Sequence, residues 1–392
     1  MSDLDVKKFV EEQVKAVKEV LGDEKALIAV SGGVDSTISA VITHKAIGDN
    51  LACVFIDDNF MRIGEPERVK EMLSSPPLNL PVRILRERER FMKALEGLSD
   101  AEEKRIAFRE TFYQTLGDAA RAEGCRFMVQ GTIKADIEET AGGIKTQHNI
   151  LEQIGIDPVE RFGYSVVEPI KSLYKYQVRE VARFMGAPQA ASERQPFPGP
   201  GLSVRVVGEI TKEKLQQEKL ANDAVEAHFE KHKPAQYFAA VLSAEEVSAP
   251  EGLRSAVSEV LGIDESKIRV AYLKERGTGM VDGNRTYGRI ATFNVKGGEA
   301  LGYEELEEVR VAIQSMEPGI SRVLYNVSGK EGGKYRVAMR AVETRDFLTA
   351  EIAKVPHETL KAAADEILEK CSEVVGVYYD ITPKPPATVE YE

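Results

Sequence analysis

Residues 26–37 read A-L-I-A-V-S-G-G-V-D-S-T, a short apolar run followed by glycines, small hydroxyl residues and one acid. Ala26 to Val30 is too short for a helix and ends at glycine, which predicts a buried parallel strand, and a helical pattern resumes from Val34 to His44. Gly32 and Gly33 allow a tight turn and a close approach of the backbone to a ligand. The stretch therefore predicts a strand, a loop and a helix N-terminus, where free N–H groups favour anions.

The side chains of this loop predict a phosphate cradle. Ser31, Ser36 and Thr37 offer hydroxyl groups beside the helix N-terminus. Asp35 would repel phosphate oxygens unless a cation lay between them, so it predicts a bound Mg²⁺. The loop matches neither the P-loop nor the dinucleotide-binding pattern. A simple glycine turn between a strand and a helix remains the alternative.

Composition places the chain among soluble globular proteins. It has 392 residues, 43% hydrophobic and 30% charged, enough for two or three domains. The first residues lack an apolar segment and no stretch approaches membrane-spanning length, so we expect a cytoplasmic protein without membrane contact. The net charge of −12 argues against nucleic acid as a partner. Cys53, Cys125 and Cys371 lie far apart without a metal-binding spacing, which predicts buried or unreactive thiols.

Apolar runs that alternate with helical patterns predict an α/β fold with a doubly wound parallel sheet. After a lead-in helix within Asp3 to Leu21, further strands are expected at Leu51–Ile56, Val82–Leu85, Arg126–Gln130 and near Val166, with a long helix at Ala101–Ala122. Ligands bind such sheets beyond the carboxyl ends of the strands. We therefore expect adenine beyond the strand that ends at Ile56.

The segment from Ile137 to Phe162 is polar and weakly periodic, which suits a mobile flap over the site. Lys145 and His148 lie in it. Taken alone, a loop lysine is usually just solvated, and the histidine is equally consistent with a surface position.

The stretch R-Q-P-F-P-G-P-G-L-S-V-R, from Arg194 to Arg205, has a path restricted by proline and predicts either a binding element or a domain linker. It divides an expected first domain, residues 1–205, from a second domain, residues 206–392. In the second domain I-S-R-V-L-Y-N-V-S-G-K and V-V-G-V-Y-Y-D-I-T-P-K look like copies of one element, as do G-R-I-A-T-F-N-V and Y-R-V-A-M-R-A-V. A duplicated α+β unit follows, with half-domains at about 206–330 and 331–392.

Four stretches, taken together, resemble the ATP pyrophosphatase part of GMP synthetase. S-G-G-V-D-S-T resembles the loop of N-type ATP pyrophosphatases, and I-K-T-Q-H-N resembles the family's lid. R-Q-P-F-P-G-P-G-L matches its interdomain signature, and K-P-P-A-T-V-E-Y-E, from Lys384, its C-terminal signature. The resemblance implies an adenine nucleotide alpha hydrolase-like first domain. It also implies that XMP, ATP and ammonia react to give GMP, AMP and pyrophosphate, with Mg²⁺.

The resemblance also implies which residues act. Asp35 and Lys145 would be catalytic, with Asp35 on the metal and Lys145 on the α-phosphate. ATP would contact Ser31, Gly32, Gly33, Val34, Asp35, Ser36, Thr37, Ile56, Gly131 and Thr132. XMP would contact Arg194, Pro196, Lys384, Thr388 and Glu390, with Glu390 on the ribose or the lysine rather than on phosphate.

The chain departs from the family pattern at several positions. Gln147 and Gln195 stand where histidine is usual, and Tyr391 where tryptophan is usual. An extra half-domain, from about Tyr237 to Gly329, resembles the two-part dimerisation region of some eukaryotic and archaeal members. A homodimer is therefore expected, although its mode need not be that of the bacterial members.

The nitrogen source is expected to lie outside the chain. GMP synthetases usually draw ammonia from glutamine through an amidotransferase module with a nucleophilic cysteine, and the sequence has no such module before the cradle. A separate glutamine amidotransferase subunit is therefore expected. Three alternatives remain open: amide formation on a carboxylate as in NAD synthetase, sulfur transfer to tRNA, and a non-catalytic nucleotide-binding regulator.

Overall fold

The computed structural model describes residues 4–141, 159, 163–188, 195–297, 300–345 and 347–392. The chain forms two compact units: Met1–Ala94 with Ala107–Arg194, and Leu95–Ile106 with Gln195–Glu392. The expected division after residue 205 therefore differs from the structure, which assigns residues 195–205 to the second unit. The reason is local, since the Arg205 carbonyl accepts a hydrogen bond from the Val241 N–H group at 2.8 Å.

The first unit is built on a five-stranded parallel sheet. Its strands are β1 (Ala26–Ala29), β2 (Leu51–Asp57), β3 (Val82–Arg86), β4 (Phe127–Val129) and β5 (Ser165–Val167). They lie in the order β3-β2-β1-β4-β5, and every adjacent pair is parallel. The order changes direction at β1, and because crossovers between parallel strands are almost always right-handed, such an order has helices on both faces of the sheet. The predicted doubly wound α/β fold is confirmed.

Helices connect these strands. They are α1 (Val6–Leu21), α2 (Val34–Ile47), α3 (Glu65–Ser74), α4 (Arg88–Ala94), α5 (Ala101–Glu123), α6 (Lys134–Ala141) and α7 (Lys175–Phe184). Asp5 caps α1 by accepting a hydrogen bond from the Lys8 N–H group at 3.0 Å. The helix α6 includes the first five residues of the expected flap, while Lys145 and His148 lie outside the described residues.

The second unit contains an eight-stranded mixed sheet. Its strands are β6 (Gln236–Ser243), β7 (Glu246–Ser248), β8 (Ile268–Val281), β9 (Asn284–Val295), β10 (Ile320–Gly329), β11 (Tyr335–Glu343), β12 (Glu351–Ile352) and β13 (Val374–Asp380). The path runs β12-β11-β13-β10-β9-β8-β7, and β6 pairs with β11. Its helices are α8 (Lys212–Phe229), α9 (Glu251–Leu261), α10 (Tyr303–Met316) and α11 (His357–Lys370).

Two similar halves supply six of the eight strands of this sheet, and we name them the split half and the inserted half. The split half consists of α8, β6, β11, α11 and β13, and the inserted half of α9, β8, β9, α10 and β10. In each half the first strand is antiparallel to the second, and the second is parallel to the last. The last strands, β10 and β13, pair antiparallel at the centre, which relates the halves by an approximate twofold axis.

This arrangement corrects the expected contiguous half-domains at 206–330 and 331–392. Because β6 pairs along its length with β11, the inserted half interrupts the split half between Ser243 and Tyr335. The pairing also corrects one of the expected repeats. Ile290 lies opposite Arg322 and Arg336 opposite Gly376, so Ile290 corresponds to Arg336, one residue away from the alignment drawn from the sequence.

The two faces of the second sheet differ in character. Val323, Val337 and Val377 contribute to a large apolar core with the helices. On the opposite face Arg322, Arg340 and Asp380 are completely buried, beneath the C-terminal segment 384–392, which we call the tail. In the described part of the chain, no helix is both long and apolar enough to cross a bilayer.

Candidate functional site

The loop after β1 closes on itself through its serine side chains. Ser36 Oγ accepts a hydrogen bond from the Ser31 N–H group at 3.2 Å and donates to the Gly33 carbonyl at 3.2 Å. Ser31 Oγ accepts from the Gly33 N–H group at 3.3 Å and lies 3.1 Å from Ser36 Oγ. The two hydroxyl groups therefore shape the loop. Thr37 is fully buried, and its hydroxyl has no hydrogen-bond partner among the described residues.

The N-terminus of α2 supplies the donors that an anion would need. Gly33 is the N-cap residue and makes no side-chain capping bond, and Val34 and Asp35 follow it in the first turn. The first N–H groups of a helix have no partner within the helix, and the helix dipole adds partial positive charge there. Because the N-cap Gly33 has no side chain, it does not itself compete with a ligand for these groups.

Two glycines let neighbouring segments approach this loop. A Cβ on Gly131, which follows β4, would lie 2.9 Å from backbone atoms of both Asp35 and Ser36. Gly32 has φ +78°, and a Cβ there would lie 2.7 Å from Val69. The loops after β1 and β4 thus touch where the strand order changes direction. This is the position at which doubly wound sheets bind ligands.

Asp35 carries the charge of the loop, and the structure gives it a partner. Lys175 Nζ, at the first residue of α7, donates to Asp35 Oδ2. The side chains of Asp35 and Lys175 are 26% and 46% exposed, so solvent reaches the pair. Asp35 Oδ1 is buried and lacks a hydrogen-bond partner among the described residues. Lys175 was not among the residues predicted from the sequence, because its contact with Asp35 joins residues 140 positions apart.

The other expected ATP contacts lie at the ends of β2 and β4. Ile56 is buried within β2. Thr132, also buried, donates through Oγ1 to Glu168 Oε1 at 2.6 Å. Beyond Ile56, the buried Asp57 accepts a hydrogen bond from Arg88 Nε at 2.8 Å, which ties the end of β2 to the segment after β3. These residues border the same edge of the sheet as the loop.

In the second unit, the tail residues expected to bind XMP lie on the face of the sheet opposite the large apolar core. Thr388 Oγ1 is 2.5 Å from Thr278 Oγ1 in β8. From residues that the structure describes, the Glu390 carboxylate accepts three hydrogen bonds: from Arg205 Nε at 2.9 Å, from Arg205 Nη2 at 3.0 Å and from Gln236 Nε2 at 2.8 Å. The inserted and split halves therefore both hold the tail.

A buried charge cluster fixes the path of the tail. Arg322 Nη1 and Arg340 Nη1 lie 2.8 and 2.9 Å from Asp380 Oδ2, and the Tyr391 hydroxyl donates to the same oxygen at 2.8 Å. Burial opposes ionisation of Asp380, but the two guanidinium groups outweigh it, so the pKa of Asp380 lies below its usual value. Arg340 also donates to the carbonyls of Thr388 and Val389, both at 2.9 Å.

The remaining predicted XMP residues are placed only in part. Pro196 is exposed, and Lys384 is partly buried and donates through Nζ to the Phe347 carbonyl. Arg194 lies outside the described residues, as does the catalytic candidate Lys145. The structure thus brings Thr388 and Glu390 into one hydrogen-bonded network.

The structure confirms the expectation that the thiols are buried. Cys53, Cys125 and Cys371 are free and buried. Burial raises the pKa of the Cys53 thiol to about 12, of Cys125 to about 11 and of Cys371 to about 12. Within the described ranges, no group of three or more His, Cys, Asp or Glu side chains is arranged to hold a metal.

Known proteins resemble this chain along its length. Residues 330–391 match the family model described as GMP synthase C terminal domain. The B subunit of the glutamine-hydrolyzing GMP synthase from Saccharolobus solfataricus is 43% identical over 386 residues, which are 98% of this chain and 98% of that protein. The protein of the same name from Methanopyrus kandleri is 38% identical over 395 residues, 99% of both chains.

A solved structure is also similar. The NMN synthetase from Francisella tularensis gives a TM-score of 0.40 at 16% identity, over 51% of this chain and 79% of that one. That likeness is too low to support any functional inference. The sequence relatives carry the assignment, and at 43% identity over nearly its whole length the chain belongs to the family of GMP synthase B subunits.

Proposed function

We propose that this chain performs the ATP-dependent part of GMP synthesis, in which XMP, ATP and ammonia give GMP, AMP and pyrophosphate. The observation that carries the proposal is the 43% identity to a GMP synthase B subunit over 98% of both chains. The geometry of each unit is compatible with it. The first unit offers a cradle for phosphates, and the second holds the tail residues expected to contact XMP.

The chemistry requires activation before amination, because the 2-oxo group of xanthine is a poor leaving group. In the first step, O2 of XMP forms a bond to the α-phosphorus of ATP, and the bond from that phosphorus to the pyrophosphate oxygen breaks. In the second step, ammonia forms a bond to C2 and the C2–O2 bond breaks. The oxygen leaves as part of AMP, and one proton is released.

Residues of the first unit would stabilise the charge that develops on pyrophosphate. The first N–H groups of α2 would donate to a phosphate at the helix N-terminus, and such prearranged donors lower a barrier by stabilising charge as it forms. Lys175 is held beside the loop by Asp35 and would add a mobile positive charge. Lys145 would reach the α-phosphate.

The loop fits a magnesium ion. Asp35 Oδ1 is buried and has no hydrogen-bond partner among the described residues, so this oxygen is available to coordinate a cation. Mg²⁺ typically binds one or two carboxylates and completes its shell with phosphate oxygens and water. Asp35 would therefore hold the ion, which when bound supplies positive charge to the phosphates of ATP.

Residues of the second unit would bind XMP. Lys384 and Arg194 would supply positive charge for its phosphate, Pro196 would contact XMP as well, and Thr388 and Glu390 would contact the nucleotide from the tail. The protein has a net charge of −12, so a dianionic phosphate needs such local cations. The buried network under the tail supports this role because it holds Thr388 and Glu390 in fixed positions.

Ammonia would come from a separate glutamine amidotransferase subunit. Glutaminase chemistry needs a cysteine thiolate, and burial raises the pKa of all three thiols of this chain well above neutrality. A homodimer and a cytoplasmic location complete the proposal. They rest on the family resemblance and on the composition.

One incubation tests the function. The pure chain is mixed with XMP, ATP, Mg²⁺ and ammonium, and GMP and AMP are quantified together. We expect equal amounts of both with ammonium and neither with glutamine as the sole nitrogen donor. AMP without GMP would indicate a different acceptor, and GMP from glutamine by the chain alone would contradict the need for a separate glutaminase.

A further inference from the structure

Arg205 lies at the end of the proline-rich signature and reaches the tail. A short 3₁₀ turn at Gly201–Val204 brings the chain to Arg205, whose side chain is 1% exposed. Its Nε and Nη2 atoms donate to the two oxygens of Glu390 at 2.9 and 3.0 Å. A two-point contact of this kind fixes the plane and the position of a carboxylate, which a single ammonium group does not do.

The guanidinium group of Arg205 is itself held in place. It lies 4.0 Å from the ring centre of Phe238 and 5.3 Å from that of Phe197, which belongs to the signature. Its Nη1 atom donates to Asn222 Oδ1 at 3.3 Å. Two aromatic rings and an amide therefore determine the orientation of the guanidinium group. A side chain held this way suits an orienting role.

The carboxyl groups around Arg205 favour its pairing with Glu390 alone. Glu218 is a second carboxyl group nearby, completely buried, and neither of its oxygens has a hydrogen-bond partner among the described residues. Burial raises the pKa of Glu218 well above its usual value, which favours the neutral form. Arg205 then forms its ion pair with Glu390 and not with Glu218. Buried ion pairs add little net stability, so the pair calls for another explanation.

The Glu390 carboxylate can accept a further hydrogen bond, and this offers an explanation for the ion pair. A carboxylate has about four lone-pair positions. Glu390 Oε1 accepts from Arg205 and Gln236, whereas Oε2 accepts only from Arg205 in the described part of the chain. The Glu390 side chain is 16% exposed, so part of it reaches the surface. One oxygen can therefore accept a hydroxyl group of a ligand without losing its present contacts.

We infer that Arg205 is a positioning residue of the XMP site: it holds the Glu390 carboxylate so that Oε2 can accept a hydrogen bond from a ribose hydroxyl of the nucleotide. The inference rests on the proposed function, because the place of Glu390 in the site comes from the tail signature. Arg205 acts only through Glu390. Its effect on XMP should therefore vanish once that carboxylate is absent.

A double-mutant cycle tests this coupling. Arg205→Lys, Glu390→Gln and the double variant are prepared in the full chain, and KM for XMP and for ATP and kcat are measured with ammonium. Each single variant should raise KM for XMP about 10- to 100-fold, the range for a hydrogen bond to a charged group. KM for ATP should stay unchanged. The double variant should be no worse than the more severe single variant.

Matched controls separate positioning from general support. Arg289 likewise lies over a ring, 5.3 Å from the centre of Tyr272, and 3.3 Å from a carboxylate oxygen of Glu317. Arg289→Lys should leave KM for XMP unchanged. If Arg205→Lys does not fold, Gln236→Met removes the third donor to Glu390 without a change of charge. It should raise KM for XMP in the native background but not in Glu390→Gln.

Two outcomes would overturn the inference. One is an unchanged KM for XMP in Arg205→Lys, and the other is multiplication of the two single effects in the double variant, the mark of a merely structural role. If the native chain makes GMP and either of these results is found, only the inference about Arg205 is wrong. A native chain that makes no GMP removes the proposed function instead.

Discussion

Asp35 shows how a single residue links the sequence pattern to a charge at the site. The loop predicts an acid that needs a cation, and the structure shows one oxygen bound to Lys175 and the other buried without a partner among the described residues. A carboxylate in this state has capacity for a metal ion. The lysine would balance its charge when no nucleotide is bound.

We expect Asp35→Asn to lower the rate of AMP formation at least about 100-fold, since groups that act on developing charge typically contribute that much. The fold should be retained, because the side chain is partly exposed. The measurement is the initial rate with XMP and ammonium, beside the melting temperature. Asp118→Asn, which neutralises a surface acid paired with Arg90, is the control. Equal rates in the two variants would contradict the metal role.

Glu218 predicts a pH dependence of stability. Its pKa is raised in the folded protein by burial and is about 4.3 in the unfolded chain. Above that pH the unfolded chain releases a proton that the folded chain retains, so stability falls as pH rises, by up to about 1.4 kcal/mol per pH unit until the folded pKa is reached.

Glu218→Gln removes this titration. Its stabilising effect should therefore be larger at pH 8 than at pH 5, and urea unfolding at the two pH values measures it. The exposed variant Glu259→Gln serves as the control. A constant difference between native chain and Glu218→Gln at both pH values would show that Glu218 is ionised in the folded state.

At the scale of elements, the contact between the loops after β1 and β4 determines the shape of the cradle. Gly131→Ala would place a methyl group 2.9 Å from the backbone of Asp35 and Ser36, so the loop must move. We expect activity to fall about 10- to 100-fold, because a displacement near 1 Å can have that effect. Gly319→Ala, where the added Cβ meets no atom within 4 Å, should be fully active. Native kinetics for Gly131→Ala would show that the loop tolerates displacement.

The tail is an element whose role depends on buried contacts. Tyr391→Phe removes a hydrogen bond of 2.8 Å to the buried Asp380. We expect the free energy of unfolding to fall by about 1.5–3 kcal/mol, the usual contribution of a hydrogen bond to a charged group. Chemical denaturation measures it, and Tyr176→Phe on an exposed side chain is the control. An unchanged value would mean that Asp380 is satisfied by the two arginines alone.

The sequence predicted elements with strong local patterns and missed those that depend on distant partners. The strand β1 and helices α2 and α5 lie close to their expected positions, because periodicity and glycines mark them. The strand β6 and the helix α9 were missed. Strand β6 is stabilised by pairing with β11, nearly a hundred residues later, and no local pattern shows that. The contact between Lys175 and Asp35 was missed for the same reason.

At the scale of the molecule, the division into units depended on side-chain contacts that the sequence conceals. Residues Leu95–Ile106 belong to the second unit. The cause is Lys104, whose Nζ atom donates to the carbonyls of Val206 and Gly208 at 2.9 and 2.7 Å. From the sequence alone, a lysine at the start of a long helix is predicted to be exposed, although Lys104 is buried. Motifs thus indicated the chemistry more reliably than the boundaries.

The two halves of the second sheet are related by an approximate twofold axis, so their strands follow the same path. Their buried charged residues differ. By the pairing of the strands, the positions that correspond to Arg322, Arg340 and Asp380 are Gly376, Asn294 and Asn326. The last two line a cavity of about 460 Å³ at the place where a second tail would lie. The inserted half runs directly from β10 into β11 and has no tail.

We therefore expect the duplication to repeat the architecture without repeating the proposed nucleotide site. Titration calorimetry should give one XMP bound per chain. Asn326→Asp gives the inserted half the counterpart of Asp380 but not those of the two arginines, so the number of XMP molecules bound should stay at one. A stoichiometry of two would mean that the cavity binds the nucleotide as well. With a single site per chain, doubling the sheet increases the support around one nucleotide rather than the capacity of the enzyme.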